Sequence, residues 1–359
     1  MSRFFSKKYA GLAPYVPGEQ PKDKKYIKLN ANESPFPPSE KAVQMASEAA
    51  KRLQLYPDPD CKELTAALAK LVGVEPEELI LTNGSDEILN FAFMAYCDEE
   101  TPAAFADLTY GFYPIFCDIN QVPYTEIPLK DDFTIDIKDY FGLKKTIFIA
   151  NPNAPTGLAL PVSDIEEIIK ANPDNIVVVD EAYVDFGAES CIPLIHKYDN
   201  LLVCQTFSKS RSMASARLGF GVGCKALIQD INSIKYTTNP FNINLMTMAA
   251  GLGVVQDEEY TRANCKTIME NREWFTKEIN KLGFITTDSK TNFVFATHPD
   301  IGGEEIYTKV RERGILIRYF KKDRIKNYNR ITIGTMEEMK ALAEALAEIV
   351  KEAAPKASQ

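Results

Sequence analysis

Apolar residues along this chain follow two alternating periods from about position 61 onward. Helical spacing, with apolar residues three and four apart, marks 61–71 and 85–96. Short and almost wholly apolar runs lie between and beyond them: Leu79-Ile80-Leu81-Thr82, 103–106, Thr146-Ile147-Phe148-Ile149-Ala150, Ile176-Val177-Val178-Val179 and Leu201-Leu202-Val203-Cys204. Continuous apolar runs of this length suit strands covered on both faces. Strands alternating with helices predict an α/β layer fold built on a mainly parallel sheet.

The pattern changes near Asp257. A long polar helix is predicted to run to about Leu282, where Gly283 ends it. Strand-like segments follow at 284–287, 292–296, 315–317 and 330–333, then a closing helix from 336 to about 350. This suggests a smaller α+β domain at 257–359 behind a large domain at 37–256. Residues 1–36 are rich in Pro, Gly, aromatic and basic residues without a sustained period, and read as an extended arm.

Composition narrows the function classes. A net charge of −9 argues against a nucleic-acid footprint and gives no sign of a membrane-surface protein. No run approaches the roughly 20 apolar residues of a spanning helix. The first residues, Met1 to Lys8, are basic but lack an apolar core, so no signal peptide is expected. Seven dispersed cysteines without a Cys-x-x-Cys pair fit reduced thiols in a cytoplasmic protein. His196 and His298 lie too far apart in sequence to suggest a metal site, and none is expected.

Candidate chemistry gathers where apolar strands end. Lys209 sits among small hydroxyls in Thr206-Phe207-Ser208-Lys209-Ser210, ahead of Arg217 and Leu218-Gly219. That setting suits an amine that loses its proton and attacks an aldehyde better than a surface charge. Asp180, in Asp180-Glu181-Ala182-Tyr183, ends a buried strand; it reads as a helix cap or as the partner of a protonated pyridine nitrogen. Tyr183 could then donate to the ring oxygen. Together these are the groups that pyridoxal phosphate chemistry needs. Asn83-Gly84-Ser85-Asp86-Glu87 is either an ordinary capped helix start or a phosphate site on free N–H groups. In Leu108-Thr109-Tyr110-Gly111-Phe112-Tyr113 one aromatic could stack on a flat ring while others are core; the run itself does not say which. Asn151-Pro152-Asn153-Ala154-Pro155-Thr156-Gly157 could hold an amide toward a ligand, and Arg318 and Arg330 could clamp an anion.

These segments, with Leu29-Asn30-Ala31-Asn32-Glu33, Tyr56-Pro57-Asp58 and Arg330-Ile331-Thr332-Ile333-Gly334-Thr335, resemble the fold-type I aminotransferases that use pyridoxal 5'-phosphate. The first and last of them resemble the histidinol-phosphate branch most. The resemblance covers nearly the whole chain and implies a seven-stranded sheet, a homodimer with shared sites, and transamination from histidinol phosphate to 2-oxoglutarate, giving imidazole-acetol phosphate and glutamate. An aromatic amino-acid aminotransferase and a threonine-phosphate decarboxylase are the alternatives within the same architecture.

The resemblance also implies residue roles. Lys209, Asp180 and Tyr183 would be catalytic. Ser85, Asp86 through its backbone N–H, Ser208 and Arg217 would hold the cofactor phosphate, with Tyr56 reaching it from the other subunit. Tyr110 would stack on the ring, while Tyr15, Asn30, Arg318 and Arg330 would bind substrate. One departure stands out: the family's usual Asn before Pro-Thr-Gly is Ala154 here, so Asn153 is the expected substitute.

Overall fold

The computed structural model describes residues 2–13 and 18–353. Its first part runs β1 (Ile27–Lys28), α1 (Glu40–Ala50), α2 (Lys62–Val72), β2 (Leu79–Thr82), α3 (Ser85–Tyr96), β3 (Ala103–Ala106), α4 (Tyr113–Asn120), β4 (Tyr124–Ile127) and β5 (Thr146–Ala150). It continues through α5 (Val162–Ala171), β6 (Val177–Asp180), β7 (Leu201–Thr206), β8 (Gly219–Gly223), α6 (Lys225–Thr238) and α7 (Leu245–Val255). Strands β2 to β8 form one seven-stranded sheet in the order β2-β8-β7-β6-β5-β3-β4. Only β8 runs antiparallel to its neighbours. The mainly parallel α/β sheet expected from the apolar runs is what the chain forms.

Strand alternation explains the layers. Ile147, Ile149, Val177, Val179, Leu201 and Val203 face a core shared with α2, α5 and α7. Phe148, Val178, Leu202 and Cys204, one residue out of step, face the opposite core of α3, α4 and α6. Every residue of β5, β6 and β7 is buried, as two covered faces require. Helix α7 left no period in the sequence because it is apolar almost all round, with Gly251 and Gly253 buried against α1 and α2 side.

The remaining elements are α8 (Glu258–Lys281), β9 (Ile285–Thr286), β10 (Phe293–Thr297), α9 (Gly303–Glu312), β11 (Ile315–Leu316), β12 (Arg318–Tyr319), β13 (Tyr328–Thr332) and α10 (Met336–Ala353). A four-stranded antiparallel sheet, β12-β13-β10-β9, packs its Val294, Ala296 and Ile331 against α8, α9 and α10. Its other face presents Phe295, which meets Ala106, Leu108 and Phe133 beside the large sheet. The arm is mostly irregular, but β1 pairs in parallel with β11 and brings Leu29 into the smaller core.

Register sets the site. Ala150, Asp180 and Cys204 lie side by side across β5, β6 and β7. Gly219 pairs with both Thr206 and Thr82, so the loops after β2 and β7 open at that same carboxyl edge. A Cβ on Gly219 would run into Ser85 N and the Gly84 backbone, which makes this close approach depend on glycine. Gly219→Ala should therefore cost roughly 1–3 kcal/mol in urea unfolding, the usual range for overpacking. Unchanged stability would show that the α3 start is not pinned there.

Candidate active site

A cavity of about 200 Å³ opens at the carboxyl edge of the large sheet. Its lining includes Ser85, Asp86, Tyr110, Asp180, Tyr183, Ser208, Lys209 and Arg217, contributed by five separate chain segments. Convergence at the carboxyl ends of parallel strands is where open α/β sheets place ligands. A second hollow of about 290 Å³, lined by Arg318, Phe320, Lys322 and Arg330, shares Tyr110, Ala154 and Tyr183 with the first.

At one end of the first cavity, Asp180 closes β6 and is 5% exposed. Tyr113 donates its hydroxyl proton to Asp180 Oδ2 at 3.0 Å, and the Ala182 N–H donates to Oδ1 at 3.2 Å. Burial pushes the Asp180 carboxyl up from 3.8 to about 6, with those two donors and Lys209 working against the rise and Asp86 adding to it. The neighbouring Glu181 points elsewhere, toward Ser190, the Cys191 N–H and Gln205. Its burial raises it from 4.5 to about 7.

Lys209 follows β7, and its Nζ stands 5.8 Å from the centroid of the Tyr183 ring. The turn carrying it is held from below. Arg211, 5% exposed, pairs with Asp185 Oδ2 at 3.0 Å and lies over the Phe207 ring, while Ser210 donates to the same Asp185 oxygen. Tyr183 accepts a hydrogen bond from Asn32 Nδ2 at 2.8 Å, which leaves its own hydroxyl proton to give to a ligand oxygen. Asn32 is itself fixed by Thr332 and Asn292.

The other end collects anion donors. Ser85 and Asp86 open α3 after Gly84, whose φ of 77° suits glycine. Their N–H groups have no partner four residues back, as at any helix start. Arg217 Nη1 reaches Ser208 Oγ at 3.3 Å, and its Nη2 reaches Asp86 Oδ2 at 3.0 Å. Tyr110 donates to the other Asp86 oxygen at 2.6 Å. The Asp86 side chain thus ties the aromatic wall to the arginine, a part the sequence reading, which considered only its N–H, did not assign.

Two expectations need correction. Asn153 is not in the lining of either hollow. Its amide donates to Leu108 O at 3.0 Å and to Thr156 Oγ1 at 2.9 Å, and accepts from Thr109 at 2.7 Å, so it braces the segment leading to Tyr110. Ala154 takes the cavity position instead. Asn30 is 1% exposed, lines neither hollow and donates its side-chain amide to Glu19 O at 2.9 Å; its backbone carbonyl accepts from Arg330 Nη2 at 3.3 Å, so it steadies the arginine. Tyr56, expected to serve the other subunit's phosphate, is 84% exposed, stacks on Phe241 and is absent from the lining of its own chain's cavity. Tyr15 lies outside the described residues. Tyr113 and Asn32 were present in the quoted runs without a role; only their contacts single them out.

Arg318 and Arg330 sit directly opposite each other across β12 and β13. Like charges in that relation repel, and an anion placed between them relieves the repulsion. The Arg330 guanidinium lies between the Phe293 and Phe320 rings, at 5.4 and 5.7 Å, which limits its swing. The donor set fits a flat pyridine ring with a phosphate tail: a carboxylate for its nitrogen, a hydroxyl for its oxygen, an amine for its aldehyde, and cationic and N–H groups for the phosphate. Next to it lies a cationic pocket for a second, anionic molecule.

Comparison with known proteins agrees with this geometry. The model of "Aminotransferase class I and II" matches residues 24–346. A histidinol-phosphate aminotransferase of a Marinomonas species is 51% identical, covering 96% of this chain and 99% of that protein. One from Brachyspira hyodysenteriae is 48% identical, covering 98% of this chain and all of its own length, 100%. The crystal structure of histidinol-phosphate aminotransferase from Sinorhizobium meliloti, in complex with pyridoxal-5'-phosphate, shares the fold at a TM-score of 0.89 and 23% identity, over 98% of this chain and 99% of that one.

The raised Asp180 carboxyl makes a pH prediction for the cofactor-free chain. A carboxyl raised on folding adds stability below its unfolded value near 3.8 and loses it as pH climbs through about 6. Asp180→Asn should remove about 3 kcal/mol of the stability change over that interval, measured by urea unfolding at a series of pH values. An unchanged pH slope would contradict burial as the cause.

Proposed function

The chain belongs to aminotransferase class I and II and, within it, to the histidinol-phosphate aminotransferases, and on that premise we propose that it moves the amino group of L-histidinol phosphate to 2-oxoglutarate. The products are imidazole-acetol phosphate and L-glutamate, made in two half-reactions of a ping-pong cycle that serves histidine biosynthesis. The observation that carries this reading is the pairing of two adjoining hollows: one joins Lys209 to Asp180 and a phosphate-type donor set, the other holds two facing arginines.

Pyridoxal phosphate, when bound, supplies the electron sink that lets the substrate's α-carbon release its proton. The chain's own residues do the rest. Lys209 Nζ takes the α-proton as a positioned base and returns it as an acid on the far side of the substrate's nitrogen. Asp180 keeps the ring nitrogen protonated, because an ionised carboxylate and a pyridinium stabilise one another. Tyr183, backed by Asn32, would donate to the ring oxygen, with Ala154 standing where an amide is usual. Ser85, the Asp86 N–H, Ser208 and Arg217 would hold the phosphate, and Tyr110 would pack on the ring face. Arg330, with Arg318, binds the phosphate of one substrate and a carboxylate of the other bidentately.

The same reading divides the work among the arm at 1–36, the Lys209-bearing part at 37–256 and the arginine-bearing part at 257–359. It also makes the working unit a homodimer in the cytoplasm, with Tyr56 of each copy reaching the phosphate held by the other. Support comes from a surface beside α1 and α7 where Leu55 and Tyr56 are exposed and the Tyr56 ring stacks on the exposed Phe241. All seven cysteines are free thiols, in keeping with a reducing compartment. Among the described residues no helix is long and apolar enough to cross a membrane. Recovery of the activity outside the soluble cytoplasmic fraction would refute the compartment.

Two outcomes test the proposal. With 2-oxoglutarate as acceptor, histidinol phosphate should exceed phenylalanine, which lacks the phosphate, by about a hundredfold or more in kcat/KM, since a site built for a polar group rejects substrates lacking it, and should also exceed threonine phosphate. Preference for either competitor would overturn the substrate. Leu55→Asp should convert a dimer to a monomer in light scattering and weaken cofactor retention; a wild-type chain already monomeric would exclude the shared site.

A further inference from the structure

We infer that Tyr113 is a positioning residue for this reaction: its buried hydroxyl holds the Asp180 carboxylate ionised and aimed at the cofactor's ring nitrogen. The inference rests on the reading of Asp180 as the partner of that nitrogen. Tyr113 opens α4, is 0% exposed, and sits among Phe93, Phe105 and Phe148, with the Tyr110 ring edge-on at 5.6 Å. A phenylalanine would fill that hydrocarbon cage equally well. A hydroxyl placed there is costly unless bonded, and its bond goes to Asp180 Oδ2 at 3.0 Å.

Geometry gives the bond its consequence. Among the described residues two donors reach this carboxylate, Tyr113 on one oxygen and the Ala182 N–H on the other. Removing the first leaves Oδ2 buried against hydrocarbon and favours the neutral acid, which cannot keep a pyridine nitrogen protonated. The other groups facing Asp180 are Asp86 from α3, Tyr110 ahead of α4, Cys204 from β7 and Lys209 from the turn after it. Asp86 disfavours the ionised form and Lys209 favours it. Tyr110 and Cys204 stay protonated beside it and add no charge. Because Tyr110 also bonds Asp86, which bonds Arg217, the edge contact between the two tyrosines links the Asp180 carboxylate to the phosphate-type donors.

The test is Tyr113→Phe, read by equilibrium dialysis of pyridoxal phosphate against pH, with thermal unfolding as the check on folding. Loss of a hydrogen bond to a charged group should weaken cofactor affinity about tenfold near pH 6. The affinity should return to within about twofold of wild type near pH 8.5, where the carboxyl ionises regardless. In the Asp180→Asn background the same change should add nothing. An equal loss at every pH, no loss at all, or a further loss in that background would each overturn the inference. Should Asp180→Asn alone leave affinity unchanged, the reading of Asp180 fails and takes Tyr113 with it; if only Tyr113→Phe is silent, the inference alone fails.

Discussion

The desolvated carboxylate at the end of β6 is the constraint around which the rest of this molecule is arranged. An ionised group buried in a protein is unfavourable unless something pairs with it. Asp180 receives a tyrosine hydroxyl and a backbone N–H, which steady it without neutralising it. Burial still holds its affinity for protons above that of a free aspartate. A site in that condition is prepared for a cation, which the protonated ring nitrogen of the cofactor would supply.

Parallel strands make this arrangement possible. Their in-register ends deliver Ala150, Asp180 and Cys204 in a row, and the loops beyond them carry the chemistry. Gly219 lets the loops after β2 and β7 touch, which brings the first N–H groups of α3 beside Ser208 and Arg217. The small sheet then sets Phe295 against the large one and turns its two arginines toward the same opening. The proposed function thus assigns binding of the cofactor and recognition of the substrate's anion to different sheets whose hollows adjoin.

Much of this was legible along the chain. Strands at 79–82, 103–106 and 146–150 and the helix at 85–96 have the bounds their apolar patterns imply, because both faces of the sheet are covered and each helix has one polar side. Helix α7 escaped because it has no polar side, and α1 because small alanines give its buried face little contrast. Lys209, Asp180, Tyr183, Ser85 and Arg217 stood out because each directly follows or precedes such a strand. What stayed hidden depended on direction. Asn153 and Ala154 are neighbours, and only the bonds of Asn153 to Leu108 and Thr156 decide which of them faces the cavity. Tyr110 and Tyr113 are three residues apart, and only packing separates the ring wall from the buttress behind Asp180. That Arg318 faces Arg330 required the pairing of β12 with β13.

Chemical trapping reaches the centre of this account most directly. The protein loaded with pyridoxal phosphate would be reduced with borohydride, digested and mapped by mass spectrometry. The expected result is one phosphopyridoxyl group per chain, carried on the peptide containing Lys209. Its appearance on a different lysine, or nowhere, would contradict the placement of the reactive amine and with it the assignment of the cavity.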